Sequence, residues 1–116
     1  MTDIRGLPYE KLIAYQKARA FLVCVTEACI SDSRIRDQAT RAALSTCHNI
    51  AEAVGRGAPA DKARVYAIAR GELLETASAV DIAAAAGLCR VEPAGNAAGY
   101  AREVYAVLTA LMRRTG

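Results

Sequence analysis

The chain of 116 residues contains no tryptophan, one phenylalanine and one histidine. So few large aromatic rings argue against recognition of single-stranded nucleic acid by base stacking. The lone histidine, His48, also leaves a metal or di-iron centre without its second imidazole; Glu72 and Glu75 have no Glu-x-x-His partner, and Glu52 at four residues from His48 is one weak ligand. Prolines are as scarce: Pro8, Pro59 and Pro93 leave long stretches in which helices run unbroken. Nowhere do about 18 uncharged apolar residues follow one another, so no membrane span is expected. The start, "MTDIRGLPYEK", has no apolar signal core, and a soluble cytoplasmic protein is expected. The four cysteines, Cys24, Cys29, Cys47 and Cys89, show no C-x-x-C spacing, which points to small reduced core residues. No cofactor is expected.

What the chain has is alanine, and 53% hydrophobic residues in all. Alanine is the strongest helix former, and a core built from it needs helices that approach closely. The length suits one domain, residues 1–116, with a single core. Apolar spacing predicts a helix from near Pro8 to about Ile30, with Ala14, Tyr15, Ala18, Leu22, Val25 and Cys29 inward. Ser31, Asp32 and Ser33 are candidate N-caps of a second helix, through about Val54. On it Ile35, Ala39, Ala42, Ala43, Thr46, Ile50 and Ala53 share one side. A third helix, capped by Asp61 and stopped by Gly87, turns Ala63, Tyr66, Ala69, Leu73, Ala77, Val80 and Ala84 inward. A fourth opens at Pro93 or Asn96 and carries Ala97, Ala101, Val104, Tyr105, Leu108, Leu111 and Met112. Short connections between long helices imply an all-α, antiparallel up-down-up-down four-helix bundle.

Two helices carry a second apolar stripe. Ile13, Ala20 and Cys24 lie away from the inward face of the first; Ile68, Ala79 and Ile82 lie opposite that of the third. Paired extra stripes predict a buried contact between copies of the chain.

Cys47 beside His48 is not an activated nucleophile, because helical neighbours diverge by about 100°. Gly55-Arg56-Gly57 follows a helix rather than a strand and lacks the lysine of a phosphate-binding loop. No catalytic constellation emerges, and a non-enzymatic protein is expected. The remaining signal is basic. Arg34, Arg41 and His48 recur every seven residues and form one ridge on the second helix. Arg56, Lys62 and Arg64 continue it through the following turn. Such a ridge suits a phosphate backbone, although Asp32, Asp37, Glu52 and Asp61 dilute it; a net charge of +3 is mild.

Three segments, "LIAYQKA" (12–18), "QATRAALSTCHNIAEAVGRG" (38–57) and "ARGELLETASAVDIAAAAGL" (69–88), together resemble the four-helix intervening-sequence proteins, also called S23-type, whose genes sit in insertions of 23S rRNA genes. Asn49, Ile50, Ala51, Glu52, Gly55 and Arg56 match the family's motif, as do Gly71 and Glu75 in the third helix; Asn49, Glu52, Gly55, Gly71 and Glu75 are therefore expected to be structural. Ala53, Thr40 and Glu72 depart from the family pattern, the last two by lowering the positive charge. The family is similar in fold to the accessory protein of diversity-generating retroelements, a pentameric barrel. The resemblance implies a homopentamer that binds structured RNA, or alternatively a protein-interaction module serving a nucleic-acid-processing protein. It implies no catalytic residue.

Overall fold

The computed structural model describes Asp3 and residues 5–115. Four helices follow one another: α1 (Ile13–Glu27), α2 (Ser33–Val54), α3 (Pro59–Ala85) and α4 (Val91–Thr115). No strand occurs among the described residues. Each helix packs on its chain neighbours, and α1 closes the bundle against α4. Four- and five-residue connections force consecutive helices to run antiparallel. The cross-links fit that order. Lys17 of α1 reaches Glu103 of α4, Gln38 and Arg41 of α2 reach Glu75 of α3, and Arg70 of α3 reaches Thr109 of α4.

The caps explain the boundaries. Asp32 is the N-cap of α2, its carboxylate accepting from the backbone N–H groups of Arg34 and Ile35 at 3.0 Å each. Those bonds, the one from Ile35 first, hold its carboxyl below the usual range. α3 ends on Gly87, at φ +72°, with Gly87 N–H donating to Ala84 O and Leu88 N–H to Ala83 O. That is the paired closure a left-handed glycine permits.

Four expected boundaries move, one of them the end of α1, which stops at Glu27 rather than near Ile30. α1 begins at Ile13 rather than near Pro8: residues 5–11 form turns, with Glu10 N–H bonded to Leu7 O and Leu12 N–H to Tyr9 O. The Tyr9 ring then lies 4.7 Å from that of Tyr15. α3 starts at Pro59, whose fixed φ suits a first turn, so Asp61 sits inside that turn instead of capping it. α4 starts at Val91, ahead of both candidate positions.

The core is alanine-lined. Ala14, Ala18, Ala39, Ala42, Ala43, Ala69, Ala83 and Ala97 are fully buried, and Phe21, Ile50, Leu73 and Leu108 fill the space between them. The two buried threonines, Thr46 and Thr76, donate to the carbonyls of Ala42 and Glu72 one turn back. Neither hydroxyl is left unsatisfied. Among expected inward residues, Cys29 and Tyr105 prove exposed. Cys29 lies beyond the end of α1, and the Tyr105 ring lies outside the core, 5.2 Å from the Arg70 guanidinium carbon. Phe21, absent from the expected stripe, is the largest fully buried side chain.

The Asp32 cap yields a prediction. Asp32→Ala removes both bonds and should lower the midpoint of urea unfolding. The pH dependence follows from the lowered carboxyl. Above the ordinary value of about 3.9 the carboxylate is charged folded and unfolded, and its contribution is complete. Below that value the unfolded chain takes the proton first, so stability is lost as pH falls through the folded value. Wild type should therefore lose more stability than Asp32→Ala when taken from pH 5 to pH 3.

Candidate nucleic-acid and assembly surfaces

The α2 ridge exists as a surface. Arg34, Arg41 and His48 are all exposed on the side of α2 opposite Ala39, Ala42 and Ile50. Among the described residues, its charge is answered from within the chain at Arg41 alone. Arg41 Nη2 lies 3.3 Å from Glu75 Oε1, and Gln38 Nε2 donates to the same oxygen at 3.2 Å. Arg34 has no ion pair among the described residues. His48 borders a shallow groove between α1 and α2, floored by Tyr15, Leu22 and Cys47.

The continuation through the α2–α3 corner is an ion-pair chain. Arg56 bridges Glu52 at 2.7 Å and Asp61 at 3.4 Å, and Arg64 meets Asp61 at 2.8 Å. These contacts, the bond from Arg64 first, lower the Asp61 carboxyl from its usual range. Lys62 Nζ donates to the carbonyls of Val54 at 2.8 Å and Ala53 at 3.3 Å. A cation there satisfies the last carbonyls of α2 and meets the negative end of its dipole. Asn49 is turned onto its own helix, donating from Nδ2 to Ser45 O at 2.9 Å and to Ser45 Oγ at 3.0 Å. The polar end of α2 is thus a tied corner. Half-exposed pairs of this kind contribute at most about 1 kcal/mol each, so the corner fixes geometry more than it adds stability.

Gly55 is the C-cap of α2 but at φ −81°, a conformation open to any residue. An added Cβ there would meet only Glu52 O at 3.5 Å, an ordinary contact. The corner is held by Lys62 and Arg56, not by glycine freedom. Gly71 is exposed on α3 with open space where a Cβ would stand.

The second stripes separate. Cys24 is buried within its own chain, in the α1–α4 seam beside Gly95 and Gly99, with little surface left for a neighbour. Ala79 is likewise buried, and Ala20 is half-buried. Ile13, Ile68 and Ile82 remain open, at 53%, 42% and 57% exposure. On α3 the positions Ile68, Gly71, Glu75, Ser78, Ile82 and Ala85 follow steps of three and four, so they share one outer face. Leu74, 52% exposed, borders that face, which sequence reading had left out. The signal was available in the sequence, where α3 carries apolar residues on two sides.

Burial pushes the Cys47 thiol up to about 11, so it stays protonated at neutral pH. Among the described residues no group of three or more His, Cys, Asp or Glu is placed to hold a metal ion, and no helix is long and apolar enough to cross a membrane.

The sequence model of the 23S rRNA-intervening sequence protein family matches residues 10–110, and the chain belongs to that family. No curated protein matches it.

Proposed function

We propose that this member of the 23S rRNA-intervening sequence protein family is a non-enzymatic, self-assembling helical module in which a second copy covers the outer face of α3. The observation that carries this reading is the exposure of Ile68, Leu74 and Ile82 together on one helix whose opposite side already forms the core. Side chains of that size on one face mark a contact surface more than a solvated one. The small residues Gly71, Ser78 and Ala85 between them let another helix approach closely. Where that face meets a different patch of the next copy and the rotation closes, the contact makes a ring, and five copies are what the family resemblance implies. Co-expression of a tagged and an untagged copy tests the reading. Capture of the tag should retain the untagged chain in comparable amount, and recovery of the tagged chain alone would refute it.

A second reading, binding of structured RNA by the α2 ridge, is supported by the joint exposure of Arg34, Arg41 and His48. Against it, three carboxylates, Glu52, Asp61 and Glu75, already pair with three of the five ridge cations. Repetition around a ring multiplies the small excess that is left, since the field of an assembly acts as a sum. If the ridge binds, it does so weakly, with a steep salt dependence and little sequence preference. Arg34→Glu combined with Arg41→Glu should then abolish binding to a structured RNA in fluorescence anisotropy at 50 mM salt (an assay condition, on the order of low-salt binding). The fold should survive, because both side chains are exposed. Absence of wild-type binding at that salt removes the RNA reading and leaves the assembly reading standing.

A further inference from the structure

Two of the four cysteines lie on connections that meet at one end of the bundle, although 60 positions separate them in the chain. Cys29 lies in the α1–α2 connection and Cys89 in the α3–α4 connection. The two connections pair like a short antiparallel ladder. Arg90 N–H donates to Ala28 O at 2.7 Å, and Ser31 N–H donates to Leu88 O at 2.8 Å. The side chains reinforce the pairing: Ser31 Oγ also donates to Leu88 O, at 3.2 Å, and Arg90 Nη1 to Glu27 O, at 3.3 Å.

Those two backbone bonds bracket Cys29 and Cys89. Were Ile30 rather than Ser31 the second donor, the two cysteines would form a regular non-hydrogen-bonded antiparallel pair. The extra residue makes the Cys29 side a bulge, in which Cys29 and Ile30 together oppose Cys89. The backbone turns at Cys29: its φ is +51°, the only positive value outside glycine among the described residues. Residues bracketed by two such bonds lie on neighbouring backbone segments, and a disulfide between them requires Cα atoms roughly 4.4–6.8 Å apart. Both thiols are free, Cys29 is exposed and Cys89 is partly so, whereas Cys24 and Cys47 are buried.

We propose that Cys29 and Cys89 form a reversible disulfide clasp that fastens the α1–α2 connection to the α3–α4 connection under oxidising conditions. The oxidant is a low-molecular-weight disulfide. The Cys29 thiolate attacks one of its sulfurs, forming a mixed disulfide and expelling a thiolate. The Cys89 thiolate then attacks Cys29 Sγ and expels the second small thiolate. The two protons lost by the cysteines go to the two released thiols, and the protein gives up two electrons to the small disulfide. Cys47, buried and held protonated, takes no part.

The full-length native chain incubated with excess oxidised glutathione, then denatured and alkylated, should lose the mass of two hydrogens. Non-reducing peptide mapping should find Cys29 joined to Cys89 within one chain, and reductant should reverse the change. Cys89→Ser should instead stop at a glutathione adduct on Cys29. The oxidised wild type should melt higher by something on the order of 10 °C, because the clasp closes a long loop. The proposal is overturned if wild type itself stops at the adduct or keeps both thiols. It is equally overturned if the mapped bond joins other cysteines or two chains, or if the oxidised protein melts no higher than the reduced one.

Discussion

Replacing Ile68 with aspartate is expected to release single chains from the proposed assembly while leaving each chain folded. Ile68 is 42% exposed within its own subunit, so a carboxylate there stays in water when the chain is alone. Covered by a second copy, the same carboxylate is desolvated without a partner, which costs several kcal/mol per contact. A ring multiplies that cost by the number of contacts. Every 1.4 kcal/mol weakens association tenfold, so one substitution suffices to empty the assembled state at micromolar concentration. Sedimentation velocity should show the mutant at single-chain mass, with a helical circular dichroism spectrum like that of wild type. A mutant that sediments as wild type does would place the contact elsewhere.

Phe21→Ala is expected to have the largest effect on the fold itself. Phe21 is fully buried and is the one phenylalanine in a core otherwise lined by alanine. Truncating a buried phenylalanine costs about 3–5 kcal/mol, toward the upper end where the surroundings cannot close in. Here Ala77, Ala84, Ala94 and Ala97, which line one cavity with Phe21, offer no long side chains to refill the space. Against a total of roughly 5–15 kcal/mol, that loss takes a large share of the stability. Urea unfolding should show a midpoint shifted well downward at an unchanged slope. A loss below about 1 kcal/mol would show that the helices do collapse onto the vacated site.

The helices were legible because their long alanine and leucine periods meet proper stops. Asp32 and Gly87 act as their residue types suggest. The inward face of α1 was legible at Ala14, Ala18 and Val25 but reaches round to Phe21 and Cys24, since alanine marks a buried face and an exposed one equally. Only the single ring of Phe21 distinguishes the two, and it stands one position from Leu22. Pro8 misled for a related reason: proline suits a first helical turn but also suits the turns that precede this one. On the ridge, the positions of the cations followed from helical spacing. Their neutralisation did not, because Glu75 lies 34 residues from Arg41 and meets it only through the α2–α3 packing. The outer face of α3 was legible through Ile68 and Ile82, whereas Cys24 looked outward and is covered by α4. The approach of Cys29 to Cys89 depends on two connections meeting at one end of the bundle, which no local pattern announces.

The central claim is that the outer face of α3 is covered by another copy, and the solution mass of the wild-type chain tests it most directly. Sedimentation equilibrium at several micromolar loading concentrations should return a mass that is a whole multiple of the 12.3 kDa chain, near fivefold. A mass of 12.3 kDa at every concentration would contradict it.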